Sequence, residues 1–255
     1  LIKPIYQREN QYSQGVKVAH LNQIRAQGKY IATCEGDDFW TDTYKLQKQV
    51  DYMEKHPECS LCVHASYRVT PGKKKLAKMI RPDTVSRIFT VEEIILGGGN
   101  FFATSSLFYP AVLNRERPDF MGKAPVGDVP RLIFCALKGT VYYIDEVMSA
   151  YRVAVPGSWD QRMAASPEKR AAVYKNLARM YHEINRYSAY QYDSAIKKQM
   201  QIFMLMQGSL KDFKTGELKE LYHALPLATK IKLYIKQRFP GIVNLWLHVK
   251  PYFLK

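Results

Sequence analysis

The stretch Gly28–Trp40, with the sequence GKYIATCEGDDFW, constrains the fold of this 255-residue chain more than any other feature. Its apolar and β-branched residues Tyr30–Cys34 are typical of a buried strand. Glu35, Asp37 and Asp38 follow directly at the C-terminal end of that strand. In open α/β sheets, ligands bind just beyond the carboxyl ends of strands. We therefore predict an α/β fold in which this acidic turn, Glu35–Asp38, lines a ligand-binding site.

The acidic turn places like charges side by side, and such charges repel each other unless a cation or a proton neutralises them. Carboxylate oxygens are suited to Mg²⁺ or Mn²⁺, and such an ion in turn binds a phosphate-bearing substrate. The alternative is a solvated acidic turn without a ligand, because short motifs also occur by chance. The flanking residues decide between the two.

The residues after the acidic turn predict a helix over Asp42–Lys55, with Thr41 or Asp42 as its cap. The helix carries a K-L-x-x-Q pattern, formed by Lys45, Leu46 and Gln49. A strand, an acidic motif, the aromatic pair Phe39-Trp40 and this helix follow in an order that resembles the family-two glycosyltransferases of the GT-A fold. The likeness is greatest to bacterial members that build surface polysaccharides.

Further segments resemble the same family in the expected order, so that the likeness extends over residues 10–160. Asn100–Tyr109 is similar to the strand and loop that line the acceptor side. Gly127-Asp128 is similar to the position of the general base. Tyr151-Arg152 and Gly157–Trp159 are similar to the segment that closes over the diphosphate. The resemblance implies a GT-A, Rossmann-like core and an inverting transfer of a sugar from a nucleoside diphosphate sugar to a hydroxyl of a surface glycan or lipid-linked acceptor.

On the donor side, the resemblance implies that Asp37 binds Mn²⁺ or Mg²⁺ directly, with Asp38 as the next candidate ligand. Glu35 stands where the family has the first Asp of its motif, and its longer side chain would reach the ribose or the metal. Arg152 and Trp159 would bind the donor diphosphate. The family's first nucleotide-binding strand and its acidic pattern have no counterpart in this sequence, so we expect a preceding segment to be absent from it.

On the acceptor side, Asp128 would remove the proton of the attacking hydroxyl, which is the work of a general base. The alternative is an ordinary helix cap, because Asp is a favoured capping residue. Thr104, Ser105 and Ser106 would line the substrate site. Trp40 would either stack on a sugar or pack beneath the acidic turn, since aromatic residues dominate cores.

The chain has a net charge of +15, which favours an anionic partner. We expect two regions, a catalytic core over 1–160 and a basic helical region over 161–255. In the second region, Leu225–Lys255 holds no acidic residue and interleaves basic with apolar residues. Basic residues are attracted to anionic lipid, and apolar ones anchor a helix at its surface. This segment predicts attachment to an anionic membrane surface, with a lid packed on the core as the alternative.

Two other patterns allow competing interpretations. His56, Cys59, Cys62 and His64 would suit zinc by residue type, but their spacing fits a buried strand better than a structural zinc site. Tyr and Arg residues interleave over Tyr174–Tyr192, yet no nucleic-acid-binding module is spelled out, and we expect no nucleic-acid partner.

The cell compartment is predicted from what the sequence contains and lacks. Four cysteines in a chain of this length favour a reducing compartment. No signal or transit peptide and no apolar run near the ~20 residues of a membrane span is recognisable. We therefore expect a cytoplasmic protein at the inner face of the cell membrane. A rival of another class is a non-catalytic basic binding module built on a decayed transferase core.

Overall fold

A computed structural model of the chain describes residues 4–11, 13–16, 18–207, 217–225 and 227–238. Over these residues the protein is a mixed α/β structure built on a curled sheet. Its strands are β1 (Tyr30–Ala32), β2 (Phe39–Trp40), β3 (Cys59–Val69), β4 (Arg87–Phe89), β5 (Phe108–Pro110) and β6 (Thr140–Arg152). The helices within the described residues are α1 (Val18–Arg25), α2 (Lys45–Lys55), α3 (Val91–Gly97), α4 (Asp119–Lys123), α5 (Asp128–Lys138), α6 (Trp159–Ala165), α7 (Pro167–Tyr187), α8 (Asp193–Gln207), α9 (Glu217–Ala224) and α10 (Leu227–Arg238).

The long strand β6 organises the sheet. The strand order is β1-β5-β3-β6-β2, and β4 also pairs with β6. Strands β3 and β6 run parallel, whereas β1–β5, β3–β5, β2–β6 and β4–β6 are antiparallel pairs. The start of β6 pairs with β4 and its end pairs with β2. Because β2 directly follows the acidic turn, this pairing places the turn beside the C-terminal end of β6.

Both central strands are longer than the sequence pattern predicts. The sequence pattern of a strand covers only Ser60–His64 and Thr140–Ile144, but β3 continues to Val69 and β6 to Arg152. The β3–β6 register shifts around His64–Ser66, which breaks the regular alternation of apolar residues. Polar residues in the extensions are bonded inside the sheet, as between the hydroxyls of Ser66 and Ser149, 2.6 Å apart. Such pairing depends on tertiary contacts, so the local pattern missed it.

Helix α2 begins at Lys45 rather than at the predicted Asp42, and neither Thr41 nor Asp42 caps it. The Asp42 carboxylate instead accepts a hydrogen bond from the Tyr44 N–H at 2.7 Å, which forms a turn before the helix. Three other helices begin at residues whose local sequence favours a helix start. These starts are the capping box of Thr90 and Glu93, the start of α5 at Asp128, and the capping Ser166 followed by Pro167.

The two faces of the sheet are covered unequally. A large apolar cluster lies between the sheet and helices α3, α5, α7 and α8, whereas a smaller one lies under α2. Residues of the helical region, including Leu177, Tyr181, Ile184 and Ile196, belong to the same large cluster as the strand residues. Burial of apolar side chains stabilises a fold by roughly 25 cal/mol per Å². Helices α7 and α8 therefore share the core that positions Asp128.

No helix within the described ranges is long and apolar enough to cross a membrane. Of the segment predicted to attach to a membrane, Leu225 and α10 are described, while residues 226 and 239–255 lie outside the described residues.

Candidate functional site

The acidic turn connects β1 to β2 and is held in place by the end of β6. The backbone N–H of Arg152 donates to Asp38 Oδ1 at 2.9 Å. The other oxygen of this buried carboxylate, Oδ2, has no hydrogen-bond partner among the described residues. Burial raises the pKa of Asp38, although the Arg152 N–H opposes this change. Asp38 is thus anchored by one oxygen, and its carboxyl also lies close to the Ser105 side chain.

The segment Thr104–Ser106 lies beside the acidic turn. Trp40 Nε1 donates to the carbonyl oxygen of Ser105 at 3.1 Å. The side chains of Ser105 and Ser106 are fully buried, and their hydroxyls donate to Ser149 Oγ and the Ala103 carbonyl oxygen. Within this segment, Thr104 is half-buried and Ser105 and Ser106 support the turn from inside. The indole of Trp40 is 37% exposed.

A buried lysine supports this arrangement from α2. Lys45 is 1% exposed, its Nζ lies 4.5 Å from the centroid of the Trp40 ring, and it donates to Gln49 Oε1 at 2.7 Å. The amide of Gln49 donates in turn to the carbonyl oxygens of Ser106 and Cys62, both at 2.9 Å. Burial lowers the pKa of Lys45 to about 8. These contacts give the K-L-x-x-Q pattern a physical role in positioning Trp40 and Ser106.

Asp128 lies at the start of α5, and its charge acts on Glu35 of the acidic turn. It is half-buried, and burial raises the pKa of its carboxyl. The pKa of Glu35 is raised to about 7, first by desolvation and then by the charges of Asp38, Asp37 and Asp128. The Glu35 side chain is exposed at the surface of the protein. The charges of Asp37, Asp38 and Asp128 thus all act on Glu35.

Two cations lie next to the acidic turn, close to the Phe39 ring. The Arg152 guanidinium and Lys73 Nζ each lie 5.6 Å from the ring centroid. The backbone of Lys73 has φ +63°, within a tight turn that follows Pro71-Gly72. Arg152 is predicted from the sequence, whereas Lys73 was missed. In the sequence, Lys73 stands out only as one of a run of basic residues. The tertiary structure is needed to see that this run folds back onto Phe39.

Trp159 is the predicted donor residue that lies apart. It begins α6, which packs against α7, and its side chain is 43% exposed. Within the described part of the chain, it makes no hydrogen bond or ring contact with the acidic turn.

The donor set of the acidic turn fits a divalent ion that is completed by substrate. Among the described residues, no group of three or more His, Cys, Asp or Glu side chains is arranged to hold a metal. Mg²⁺, however, is commonly held by one or two carboxylates together with substrate phosphates and water. Asp37 and Asp38 supply two carboxylates, and Asp38 Oδ2 is an acceptor without a donor. These residues therefore fit Mg²⁺ or Mn²⁺ as partial ligands.

The zinc pattern is a strand, as its spacing indicates. His64 is buried in β3, its Nδ1 lies 2.8 Å from the Ala65 carbonyl oxygen, and burial lowers its pKa to about 3. The thiol of Cys59 donates to the Leu61 carbonyl oxygen, whereas His56 stacks on Tyr52. The His and Cys side chains of this pattern thus pack in the core or lie on the surface at the end of α2.

A separate open groove lies at the other end of β1. It is lined by residues of α1, the end of α2 and the turn after β5, among them Gln23, Tyr30, Glu54 and Asn114. It contains neither the acidic turn nor Asp128, and its lining carries no arrangement of groups that points to chemistry.

Comparison with known proteins supplies relatives but no activity. No protein-family model matches the chain. The uncharacterized proteins Rv1520 of Mycobacterium tuberculosis (strain H37Rv) and Mb1547 of Mycobacterium bovis are each 32% identical to it over 138 residues. The match covers 52% of this chain and 37% of each relative, so the chain spans well under half the length of the curated relatives it matches.

Proposed function

We propose that this protein is an inverting glycosyltransferase with a GT-A-like core. It would move a sugar from a nucleoside diphosphate sugar to a hydroxyl of a surface glycan or a lipid-linked acceptor. The observation that carries the proposal is the convergence of four distant segments on one site. The acidic turn, Thr104–Ser106, Asp128 and Arg152 are linked by the Asp38–Arg152 and Trp40–Ser105 hydrogen bonds and by the charges acting on Glu35.

The chemistry of the site is suited to displacement at a sugar carbon. The acceptor oxygen forms a bond to the anomeric carbon while the bond from that carbon to the diphosphate oxygen breaks. The electron pair of the broken bond leaves on the diphosphate, and the acceptor proton passes to the Asp128 carboxylate. A single displacement of this kind inverts the anomeric configuration. Asp128 acts as the positioned base, which typically contributes ~10²–10⁴-fold to the rate.

The donor diphosphate brings negative charge next to the acidic turn, so it needs cations. Asp37 and Asp38 would hold Mg²⁺ or Mn²⁺, which supplies stabilisation for charge on the departing diphosphate. Arg152 and Lys73 add two positive side chains close to Phe39. The cations of the protein and the bound ion together make the binding of an anionic donor compatible with a cluster of carboxylates.

The proposal is tested by donor turnover. The full-length protein is incubated with a panel of nucleoside diphosphate sugars and Mn²⁺ or EDTA, and release of the nucleoside diphosphate is measured. We expect Mn²⁺-dependent release from one class of donor. Binding of several donors without release would support the rival non-catalytic module, and the absence of both binding and release would refute the proposal.

We further propose that α10 attaches the protein to an anionic membrane at its inner face. Its exposed apolar side chains Leu227, Ile231, Tyr234 and Ile235 recur at the spacing of one helical face. An apolar face of this kind, next to basic residues, is suited to the boundary of headgroups and acyl chains. A lipid-linked acceptor would make such attachment useful, by analogy.

The attachment is tested by co-sedimentation with phosphatidylcholine vesicles, with and without phosphatidylglycerol. We expect a variant carrying Ile231→Ser and Tyr234→Ser to pellet several-fold less with anionic vesicles than the wild type. Val85→Ser removes an equally exposed apolar side chain far from α10 and serves as the control. Equal pelleting of all three proteins would contradict the attachment.

A further inference from the structure

The chain that follows β3 folds back on the end of that strand as a hairpin of residues 70–80, which we call the basic hairpin. The backbone N–H of Leu76 donates to the Arg68 carbonyl oxygen at 2.8 Å, and Ser66 and Ile80 exchange two backbone hydrogen bonds of 2.9 Å. Four side chains of the hairpin are exposed lysines, namely Lys73, Lys74, Lys75 and Lys78. The backbone bonds thus hold these four charges together at one place on the surface.

The lysines of the basic hairpin have no acidic partner among the described residues. None of them takes part in an ion pair within the described ranges, and residues 59–82 contain no Asp or Glu. Two of them lie on aromatic rings instead. Lys75 Nζ lies 3.8 Å from the centroid of the Tyr67 ring, and Lys73 lies near Phe39. Because like charges repel one another, the hairpin favours an anionic partner.

A membrane surface fits this pattern better than a single phosphate or a nucleic acid does. Lysine is a point charge on a flexible stem, whereas the planar fork of arginine is better suited to one phosphate. Lysines spread over a hairpin can reach the phosphates of several headgroups. Proteins that bind single-stranded nucleic acid stack bases on aromatic rings, but cations already lie over the rings of Tyr67 and Phe39. Clusters of about four to eight basic residues are typical of binding to anionic lipid.

The basic hairpin lies at the end of the sheet that carries the acidic turn. The Val153 N–H donates to the Val69 carbonyl oxygen at 2.9 Å, which joins the base of the hairpin to the end of β6. The neighbouring residue, Arg152, bonds Asp38 of the acidic turn through its backbone N–H. A surface that the hairpin contacts therefore lies close to the candidate site.

We propose that the basic hairpin binds anionic phospholipid headgroups and holds the acidic turn at the membrane surface. This inference rests on the proposed function in one respect, since it selects a lipid-linked acceptor over a glycan that has left the membrane. A sugar that is linked to a membrane lipid lies within reach of the same surface. The hairpin is a contact separate from α10, because it binds through charge, whereas α10 binds through its apolar face.

The contact is measured by co-sedimentation of the full-length protein with phosphatidylcholine vesicles, with and without phosphatidylglycerol. The hairpin variant, which carries Lys74→Gln and Lys78→Gln, should partition roughly 10–30-fold more weakly to the anionic vesicles, as the loss of two basic residues at such a surface implies. A variant with Lys55→Gln and Lys175→Gln is the matched control, since it loses the same charge from exposed lysines of α2 and α7. Equal losses in the two variants would overturn the proposal.

Salt and soluble competitors identify the partner of the hairpin. Binding through charge is screened, so the difference between the wild type and the hairpin variant should disappear at about 1 M ionic strength, where the Debye length is ~3 Å. Soluble glycerol phosphate should not displace the protein from the vesicles at an equal concentration of phosphate. Displacement by it would assign the hairpin to a single phosphate. Displacement by a single-stranded oligonucleotide would assign it to nucleic acid, and either result would overturn the proposal.

A fluorescent label on Cys34 measures the orientation of the site. Cys34 is exposed directly before the acidic turn, whereas the other cysteines, Cys59, Cys62 and Cys135, are buried. Labelled with nitrobenzoxadiazole, which fluoresces more strongly in apolar surroundings, Cys34 should brighten when anionic vesicles are added. The control carries Cys34→Ser and Arg115→Cys, which moves the label to the groove at the other end of β1, and it should not brighten. A response at position 115 as large as that at Cys34 would overturn the orientation.

Donor binding distinguishes a failure of this inference from a failure of the proposed function. The hairpin variant should bind a nucleoside diphosphate sugar with Mn²⁺ as the wild type does, because neither Lys74 nor Lys78 belongs to the proposed donor site. If both proteins bind a donor but the hairpin variant pellets as the control does, the membrane contact is wrong and the proposed function stands. If the wild type binds no donor, the proposed function fails, whereas weaker pelleting of the hairpin variant still supports the membrane contact.

Discussion

The carboxylates of this protein fall into two groups with opposite electrostatics. Away from the site they pair with cations, as Asp145 does with Arg81 and as Asp83 and Glu93 do with Arg87. Hydrogen bonds from those cations lower the pKa values of these acids. In the site, the pKa values of Glu35, Asp38 and Asp128 are all raised, with desolvation as the largest cause.

This difference matters because cations are plentiful. The chain has 38 Lys and Arg residues and only 23 Asp and Glu. Among the described residues, every ion pair between a Lys or Arg and an Asp or Glu lies outside the site. The carboxylates of the site are therefore not paired with the cations of this strongly basic protein. They can interact instead with an external cation, a proton or a hydroxyl group. Acids with perturbed pKa values cluster at functional sites.

The largest effect should follow from removing the base. Asp128→Asn keeps the shape of the side chain but cannot accept a proton, so we expect transfer to fall by ~10²–10⁴-fold while donor binding persists. The rate of nucleoside diphosphate release in the presence of acceptor measures it. Asp119→Asn is the matched control, because Asp119 also occupies the first position of a helix, α4. Near-normal turnover by Asp128→Asn would place the base elsewhere.

Loss of a metal ligand should come next in size. Asp37→Ala removes a carboxylate that would hold Mn²⁺, and we expect the Mn²⁺-dependent part of donor affinity to disappear. Isothermal titration with a sugar nucleotide, with Mn²⁺ or EDTA, measures it. Asp51→Ala removes an exposed acid from α2, with the same change in net charge, and should bind as the wild type does. Unchanged affinity in Asp37→Ala would sink the metal assignment.

Some features of this site are produced by residues that are neighbours in the sequence, and others by contacts between distant segments. Only the first kind could be predicted from the sequence. The acidic turn and the start of α5 at Asp128 are local patterns, and they were predicted. The burial of Lys45 under Trp40 was not, since a lysine on a helix is ordinarily exposed. Its signal was the spacing of Lys45, Gln49 and Met53 on one helical face.

Other features depend on the tertiary structure alone. The extension of β3 and β6 requires pairing across the sheet, and the approach of Lys73 to Phe39 requires the fold-back of a basic loop. The full burial of Tyr181 requires α7 to dock on the core. The tyrosines of this helix looked like a general aromatic surface in the sequence. Packing singles out one of them.

Removing the cation that pairs with two acids outside the site should lower stability moderately. The pH dependence of this effect should be opposite to that expected for the acids of the site. Arg87 bonds Asp83 and Glu93 and lies 3.7 Å from the Phe89 ring centroid. We expect Arg87→Met to cost about 1–2 kcal/mol at neutral pH, as partly exposed pairs and a ring contact imply.

Denaturant unfolding across pH measures the loss, with Arg115→Met, an exposed arginine, as the control. The folded-state pKa values of Asp83 and Glu93 are lowered, so their contribution is present above the ordinary carboxyl pKa. It is lost as the pH falls through the lowered values. A difference between Arg87→Met and wild type that persists unchanged in strong acid would contradict ion pairing.

The smallest effect should come from Glu35, and its sign should be reversed. Because the folded-state pKa of Glu35 is about 7 rather than the ordinary 4.5, the folded protein retains a proton that the unfolded chain has lost between these values. Stability therefore falls as the pH rises from 4.5 to 7. Glu35→Gln removes this penalty, so the variant should melt a few degrees above the wild type at pH 8 in EDTA and level with it at pH 4. Glu220→Gln, on the exposed surface of α9, should show no such difference.

Mn²⁺ should raise the melting temperature of the wild type more than that of Glu35→Gln, since the ion relieves the same repulsion. If Glu35→Gln is less stable than the wild type at pH 8, Glu35 belongs with the paired acids. The division of the carboxylates into paired acids and acids of the site is then wrong for the residue with the largest predicted difference.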